Sequence, residues 1–145
     1  MSSTDPVQVP ALLERIGRAI NAHDVDALTA AFADDVDSRQ PAHPERRFVG
    51  AEQIRQNWVA IFAAVPDLRS WLERSITDGE TVWAEWDWSG TRHDGQPHRM
   101  RGVTILGERN GRAEWVRLYM EPVMPADGDI DRAIDELTAT TRGTR

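Results

Sequence analysis

The chain has 145 residues, which fits one domain of ordinary size with an enclosed core and argues against two domains. With 40% hydrophobic and 28% charged residues its balance is globular, and no apolar run is long enough to span a bilayer. The formal net charge of −7 argues against nucleic acid as a partner, and the lack of cysteine excludes disulfides, a thiol nucleophile and thiolate metal ligands.

The N-terminal segments predict two helices behind a short extension. Residues 1–10 carry neither the basic region nor the apolar core of a signal peptide, so we interpret them as an extension and expect a cytoplasmic protein. From Ala11 to Ala22, apolar residues recur at helical spacing with charged residues opposite, which is typical of an amphipathic helix. Asp24 is a good N-cap for a second, shorter helix that we expect to run through Phe32.

The next segment changes from a polar loop to a helix. Between Ala33 and Gly50, polar residues and prolines predict a short strand followed by an ordered loop. A third helix is predicted from Ala51 to Val65, because apolar residues recur on one face and Pro66 stops it. That face consists of Ile54, Trp58, Ile61, Phe62 and Val65.

After Pro66 the chain has strand segments separated by turn signals. These segments are Leu68–Ile76, Thr81–Ser89, His98–Leu106 and Arg112–Met120. Because the helices precede the strands instead of alternating with them, the order predicts an α+β fold in which helices cover one face of an antiparallel, curved sheet. We assign residues 11–124 to this domain and 125–145 to a tail. In the tail, Ile130, Ile134 and Leu137 predict one docking helix before a frayed end.

The strand Val82–Gly90 holds three of the six tryptophans, and its side chains sort by parity. Successive residues of a strand point to opposite faces of the sheet. One set is wholly apolar and is expected to face a core or pocket: Val82, Ala84, Trp86 and Trp88. The other set is mixed and is expected on an outer face: Trp83, Glu85, Asp87 and Ser89.

Four stretches carry a family resemblance. They are LLERIGRAINAHDVDALTAAFADDVDSRQP near the start and EWDWSGT, RGVTILGERNGR and VRLYMEP in the strand region. Together they resemble the nuclear transport factor 2-like superfamily, especially its ketosteroid isomerase and SnoaL-like polyketide cyclase branches, over about Leu12 to Pro122. The resemblance implies a cone-shaped fold, in which three N-terminal helices pack on a curved, mainly antiparallel sheet around a small-molecule pocket. It implies less about the reaction, because one fold hosts many functions.

The resemblance also allows the family's catalytic residues to be compared with this chain. In the isomerase branch a tyrosine and a protonated aspartic acid donate to the oxyanion, and their positions fall on Ile16 and Val103, which cannot donate. The aspartate base of that branch falls on Gln40, whose amide cannot take a proton at neutral pH. The two carboxylates of the limonene epoxide hydrolase branch fall on Trp88 and Leu118. The isomerase reaction is therefore predicted to be absent, and the residues do not favour the hydrolase reaction.

The same resemblance implies which side chains face the pocket. It agrees with parity on the tryptophan strand, and on the next strand it places Arg101, Val103 and Ile105 inward. The predicted ligand-binding residues are Ile16, Trp58, Trp86, Trp88, Val103, Ile105, Val116, Leu118 and Met120. The tryptophans suit stacking on a flat ligand, but ordinary core filling explains them equally and would leave a small pocket.

Three polar residues are candidates for chemistry at that pocket. Arg101 suits an anchor for a ligand carboxylate, phosphate or enolate, or else it lies near the mouth and reaches solvent or a surface acid. His43 suits a general base because imidazole exchanges protons near neutral pH, although its neighbours also fit a solvated loop. Gln40 suits a hydrogen bond to a substrate carbonyl or to a neighbouring backbone group. No spacing of histidines or carboxylates suggests a metal site, and we expect no cofactor.

The outer face has two interpretations. Glu85 and Asp87 form an i, i+2 pair that resembles the paired acids of a hydrolase. A face that mixes aromatic residues and arginine with acids is more typical of a protein interface, and family members commonly dimerise through this surface. We therefore favour a homodimer interface. Its predicted residues are Trp83, Glu85, Asp87, Trp115, Arg117 and Tyr119.

Two functions remain open from the sequence. The first is a pocket protein that acts as a cofactor-free isomerase, cyclase, hydratase or dehydratase on a small hydrophobic substrate with a polar or anionic end. The alternative is a non-catalytic module for ligand binding or dimerisation. No long exposed apolar stripe points to protein docking, and we expect neither nucleic acid nor membrane as a partner.

Overall fold

The computed structural model describes the backbone of residues 8–143 and the side chains of residues 8–139. Most of the predicted extension, residues 1–7, and the last two residues of the tail lie outside this described part. Helices α1 to α4 are Ala11–Ala22, Val25–Ala30, Ala51–Ala64 and Ile130–Gly143. Strands β1 to β6 are Phe32–Arg39, Phe48–Val49, Arg69–Asp78, Thr81–Thr91, Pro97–Arg109 and Arg112–Pro122. None of the described helices has the length and apolar character needed to cross a membrane.

The predicted α+β cone is confirmed, with α1, α2 and α3 packed on one face of a curved sheet. The six strands lie in the order β2-β1-β6-β5-β4-β3. β1 runs parallel to β6, and every other neighbouring pair is antiparallel, so the sheet is mainly antiparallel as predicted. The polar segment after α2 supplies β1 and β2, which extend the sheet beyond the four strands predicted after Pro66.

Helices α1 and α2 form where the sequence predicts them, but α2 is shorter than expected. α1 ends at Ala22, and its C-cap residue His23 has a left-handed φ of 54°. The carboxylate of Asp24 then accepts a hydrogen bond from the backbone N–H of Ala27 at 3.0 Å, which confirms Asp24 as the N-cap of α2. α2 ends at Ala30 instead of reaching Phe32, because Phe32 belongs to the sheet and pairs with Ala113 of β6.

Close contact between β5 and β6 depends on Gly102. Its φ is +155°, and a Cβ atom built there would lie 2.0 Å from the carbonyl oxygen of Tyr119. Since no side chain fits at that distance, only glycine allows the two strands to meet at this point.

The parity predicted for the tryptophan strand is confirmed in β4. Val82 and Ala84 are fully buried under the helices, and Trp86 and Trp88 are 3% and 9% exposed. On the opposite face Trp83 is 44% exposed. The face toward the helices therefore forms the inner wall of the cone, and the other face forms the outer surface of the sheet.

The tail forms the predicted helix, α4, but the predicted docking is wrong. Its apolar residues Ile130, Ile134 and Leu137 are 72%, 50% and 66% exposed. The helix also runs further than expected, because it continues to Gly143. The predicted fraying of the chain end then concerns residues that lie outside the described part. The amphipathic stripe therefore predicted the helix correctly, but the apolar side chains described in it stay largely exposed.

Candidate functional site

A small apolar cavity lies inside the cone, and we call it the inner chamber. Its volume is about 60 Å³. Apart from Thr104, every described residue lining it is aliphatic or aromatic, and these residues include Ile16, Trp86 and Val116. α1 contributes Ile16, β4 contributes Trp86, and β6 contributes Val116, so the chamber is enclosed by helix and sheet together. A cavity with such walls suits an apolar group better than water.

A second, larger cavity of about 360 Å³ lies beside the first, and we call it the mouth chamber. Its wall mixes apolar side chains such as Met100 and Met120 with polar ones, which include Ser38, Gln40 and Glu121. Four residues line both chambers and form what we call the neck: Ile54, Trp58, Trp88 and Leu118. The site therefore consists of an apolar inner chamber, an apolar neck and a mouth chamber with a mixed wall.

The tryptophans pack on one another at the neck and so limit the space within. The ring centroids of Trp58 and Trp88 are 5.5 Å apart at 74°, and those of Trp86 and Trp88 are 6.4 Å apart at 48°. Edge-to-face and tilted pairs of this kind are ordinary packing geometry in cores. Much of the tryptophan surface is thus used in core filling, and the remaining inner space suits a few non-hydrogen atoms.

The two indole N–H groups of β4 have different surroundings. Trp86 Nε1 donates a hydrogen bond to the hydroxyl oxygen of Thr104 at 3.0 Å. Trp88 Nε1 is also buried, but no acceptor among the described residues bonds to it. Among the described residues, Thr104 therefore carries the one hydroxyl that lines the inner chamber, and Trp88 Nε1 is a buried donor without an acceptor.

Polar side chains meet at the mouth from opposite ends of the sequence. His43, in the loop after β1, has its Nε2 2.7 Å from Oε1 of Glu121 near the end of β6. Beside this pair, Arg46 Nη1 donates to Oε1 of Gln40 at 3.0 Å. Across residues 8–143, no three His, Asp or Glu side chains are grouped closely enough to hold a metal ion.

The predicted catalytic residues His43 and Gln40 are thus brought to the mouth together. Gln40 lines the mouth chamber directly, and its side-chain oxygen is occupied by Arg46 instead of by a backbone group. His43 reaches the chamber through Glu121, which lines it. Sequence reasoning missed Glu121, because its partner lies 78 residues away and no local pattern marks the contact.

The inward orientation predicted for Arg101, Val103 and Ile105 is wrong. Residues directly opposite each other on neighbouring strands share a face of the sheet. Arg101 lies opposite Asp87, and Trp86 lies opposite Gly102, so the odd-numbered residues of β5 face outward. Val103, which the resemblance matched to the aspartic acid of the isomerase, therefore points away from the cavity.

Arg101 is paired with a surface acid, the second of the two interpretations drawn from the sequence. Its Nε lies 3.1 Å from Oδ2 of Asp87, and Nη2 of Arg99 lies 2.9 Å from the same oxygen. The hydrogen bond from Arg99, with help from Arg101, holds the pKa of Asp87 below its ordinary value, although burial acts in the opposite direction. Arg101 is therefore excluded as an anchor inside the cone.

The remaining residues predicted to bind a ligand do line the cavity. Ile16, Trp86 and Val116 face the inner chamber, Met120 faces the mouth chamber, and the three others belong to the neck: Trp58, Trp88 and Leu118. Ile105 and Val103 lie on the outer face with Arg101. Binding of a ligand by the seven inward residues stays a prediction.

The outer face of the sheet carries the residues predicted to form a dimer interface. Trp83 and Tyr119 are 44% and 43% exposed there. The guanidinium of Arg117 lies 5.1 Å from the ring centroid of Trp115, and Glu85 pairs with Arg74 at 2.7 Å. Trp71 and Ile76 of β3, at 48% and 67% exposed, add further apolar surface to this face.

The chain matches one protein family over most of its length. The family model described as a SnoaL-like domain matches residues 13–117. No protein of curated function matches the chain.

Solved structures share the fold at low sequence identity. A Catenulispora acidiphila protein with a ketosteroid isomerase-like fold, in complex with trimethylamine, has a TM-score of 0.67 and 19% identity, covering 76% of this chain and 85% of that one. A proposed polyketide cyclase from Sinorhizobium meliloti has a TM-score of 0.61 and 23% identity, covering 78% and 95%. A nuclear transport factor 2-like protein from Exiguobacterium sp. 255-15 has a TM-score of 0.63 and 20% identity, covering 78% and 98%. These similarities establish the fold.

Proposed function

The chain belongs to the SnoaL-like domain family, and from that premise we propose that it binds a small hydrophobic molecule with one polar end. The observation that carries the proposal is the contrast between an apolar inner chamber and a mouth chamber whose wall includes polar side chains, with the apolar neck residues lining both. A molecule with matching ends fits this division in one orientation only.

The orientation of the bound ligand follows from the free-energy cost of burying its apolar end and its polar end. Each buried methylene group contributes about 0.8 kcal/mol to binding, so the inner chamber favours the apolar end. A polar group without a partner costs about 1–3 kcal/mol in a protein interior, so the polar end stays at the mouth. There it meets Gln40, Ser38 and Glu121. The mouth contains both an acid and the cation Arg46, so its charges do not by themselves select an anionic end.

Two of the structurally similar proteins are consistent with a small-molecule role. One is in complex with trimethylamine, a small organic molecule, and another is described as a proposed polyketide cyclase. For this chain they support the class of function, and the size of the inner chamber limits the ligand's apolar end to a few atoms.

A thermal-shift screen of small ketones, esters and hydrophobic acids tests the proposal. A ligand that binds only the native state raises the melting temperature, and the stabilisation grows with the logarithm of its free concentration over Kd. Leu118→Trp fills the neck and should remove the shift. Val59→Trp adds the same bulk on the exposed side of α3, where Val59 is 52% exposed, and should keep it. Equal shifts in both variants would show that the compounds bind outside the cone.

Catalysis is a second candidate function, and the contact between His43 and Glu121 favours it. A carboxylate and an imidazole 2.7 Å apart at a pocket mouth can pass a proton between the protein and a bound substrate. Such a pair suits the cofactor-free isomerase, cyclase, hydratase or dehydratase reactions expected from the sequence. Arg101 has no part in it, because it lies on the outer face.

Proton exchange tests the catalytic candidate without knowledge of the substrate. A ketone that gives a thermal shift is incubated with the protein in D₂O, and loss of its α-hydrogen signals is followed by NMR. Catalysed exchange that disappears in Glu121→Gln, with the thermal shift retained, would support proton transfer at the mouth. Binding without exchange would leave the non-catalytic ligand-binding module, the alternative drawn from the sequence, as the function.

We also propose that the chain forms a homodimer through the outer face of the sheet. Exposed Trp83, Tyr119 and Trp71 lie on one surface, and aromatic residues are enriched in protein interfaces. In addition, Oδ1 of Asp87 is buried on this face without a hydrogen-bond partner among the described residues, and a second subunit would supply donors. The cytoplasmic location expected from the N-terminal sequence stays a prediction.

A further inference from the structure

Helix α4 exposes an apolar stripe to solvent. Ile130 and Ile134 lie about one turn apart on the helix and are 72% and 50% exposed, and Met124, in the segment before the helix, is 64% exposed. In proteins, a helix gains most of its stability by packing its apolar face against another surface. The stripe therefore indicates that α4 packs against a surface that the single chain does not bring to it.

A groove on the outer face of the sheet has a matching apolar wall. Its volume is about 420 Å³, and the residues that line it include Ile76, Trp83 and Val103. Ile76 lies directly opposite Trp83 on the neighbouring strand, and the two residues are 67% and 44% exposed. The same chain thus carries an exposed apolar stripe and an exposed apolar groove.

The tail around the stripe is acidic. Residues 123–137 contain five acids and one arginine. That arginine, Arg132, donates to Glu136 at 3.1 Å, so it neutralises an acid of its own helix. Asp131 and Asp135 lie about one turn apart along one side of the stripe. A surface that receives the stripe therefore has to accept negative charge beside it.

The outer face of the sheet presents positive charge to an approaching molecule. In its ion pairs the arginines reach further into solvent than the carboxylates they bind. The side chains of Arg99 and Arg101 are 46% and 57% exposed, whereas their shared partner Asp87 is 10% exposed. Arg74 is 81% exposed and its partner Glu85 is 43% exposed. Acids that approach this face meet guanidinium groups first, so its charge complements that of the tail.

We propose that, in the homodimer, α4 of each subunit packs on the outer face of the other subunit's sheet. Ile130 and Ile134 enter the groove beside Trp83, and the acids of the tail lie against the exposed arginines. The inference rests on the homodimer proposed above and names the segment that completes its interface. Because each chain carries both the stripe and the groove, a two-fold axis makes two identical contacts and leaves neither surface open.

The connection to α4 is long enough for this exchange. Val123 is still bonded to the sheet, since its N–H donates to the carbonyl oxygen of Arg99 at 2.9 Å. Six residues then precede Ile130, and in extended form they span about 20 Å. Sheets that pack face to face lie about 10 Å apart, so the segment reaches across to a facing subunit.

Disulfide trapping between two variants tests the contact, because the chain has no cysteine of its own. Val103→Cys puts a thiol in the groove, and Ala133→Cys puts one beside Ile130 and Ile134 on α4. The purified variants, one of them carrying a tag that changes its mass, are mixed and treated with oxidised glutathione. We expect a disulfide between tagged and untagged chains. In the control, Val59→Cys on the exposed side of α3 replaces Val103→Cys and should give little of this product.

The affinity of the dimer provides a second measurement. Ile130→Ser combined with Ile134→Ser removes the stripe from an exposed position, so the fold is retained. By analytical ultracentrifugation, the dissociation constant of the dimer should rise at least about tenfold. Val59→Ser, the control on α3, should leave it unchanged. Asp131→Asn combined with Asp135→Asn should raise it only a few-fold, and this smaller effect should disappear at high salt because exposed charges are screened.

The possible failures are distinguishable. A wild type that stays monomeric at every concentration refutes the dimer and the inference together, and it leaves the proposed ligand binding intact. A dimer that the two serine substitutions do not weaken, with no trapping above the control, refutes the inference alone. A single chain carrying both Val103→Cys and Ala133→Cys gives the third outcome. If its disulfide forms internally and its mass stays that of one chain, α4 packs on its own sheet and the exchange is overturned.

Discussion

Arg101 lies directly opposite Asp87 on the outer face of the sheet, and its Nε is 3.1 Å from a carboxylate oxygen that also accepts from Arg99. The Asp87 side chain is only 10% exposed, whereas the two guanidinium groups are 57% and 46% exposed. The arrangement keeps a nearly buried acid ionised with two cations that remain in contact with solvent. It therefore contributes to stability and keeps both arginines on the outer face of the sheet.

The contribution of Asp87 should depend on pH. Because its pKa is lowered in the folded state, mainly by Arg99, the stabilisation is present above the ordinary pKa of about 4 and is lost as pH falls through the lowered value. Asp87→Asn should reduce the free energy of unfolding by about 1–2 kcal/mol at pH 7, since the exposed arginines can still be hydrated. Urea unfolding of both proteins at pH 7 and pH 3 measures this, and a difference that grew toward pH 3 would contradict it.

Replacement of Gly102 should be far more damaging than replacement of another glycine with positive φ. Gly102→Ala places its Cβ 2.0 Å from the Tyr119 carbonyl oxygen, so we expect a loss of more than about 3 kcal/mol or failure to fold. Gly95 has a φ of +83° with no atom within 4 Å, so Gly95→Ala should cost only about 1 kcal/mol. Thermal unfolding compares the two, and similar losses would mean that backbone conformation, not crowding, sets the cost at Gly102.

The hydroxyl of Thr104 should stabilise the inner chamber by accepting from Trp86. Thr104→Val keeps the shape but leaves the buried indole N–H of Trp86 without its acceptor, at a cost of about 1–3 kcal/mol. Thr104→Ser keeps the hydroxyl and removes a methyl group, at a cost of about 1 kcal/mol. Denaturant unfolding of both variants separates the two effects. A valine variant no less stable than the serine variant would show that the hydrogen bond contributes little.

The proposed dimer should depend on the exposed aromatic surface of the sheet. Trp83→Glu places a charge on this surface and should convert the protein to monomers, because an unpaired charge buried at an interface is costly. Val59→Glu adds the same charge on the exposed side of α3 and should leave the assembly unchanged. Light scattering after size-exclusion chromatography gives both masses. A monomeric wild type would refute the proposed dimer. A dimer that tolerates Trp83→Glu would show that the interface lies elsewhere.

How much of the site could be predicted differs between neighbouring strands. In β4 the alternation is unambiguous, because one parity is wholly apolar and the other carries the charges, so the inner wall was predicted correctly. In β5 both parities are mixed. The outward set is Arg99, Arg101, Val103 and Ile105, and the inward set is Met100, Gly102, Thr104 and Leu106. Only the family resemblance decided between them, and it gave the wrong face.

A signal in the sequence favours the correct face. The inward alternative would have placed Arg99 and Arg101 together in an apolar cavity, which is far more costly than placing one arginine there. Outward, the same two side chains meet Asp87 on the neighbouring strand. By contrast, the contact between His43 and Glu121 depends on the three-dimensional arrangement of a loop and a strand end, so no local pattern predicts it.

The parallel pairing of β1 with β6 has a consequence for when the cavity can exist. Phe32 pairs with Ala113, and Arg39 pairs with Arg117. The edge of β1 that faces β6 therefore has no hydrogen-bond partners until β6 has formed. Gln40 follows β1, whereas Leu118 and Met120 belong to β6, and all three surround the mouth chamber. Closing so long a loop is entropically costly and tends to be a late event in folding. On the ribosome, the chain therefore has no complete pocket until its final strand has emerged, and a ligand can stabilise the finished domain but cannot guide the first steps of its folding.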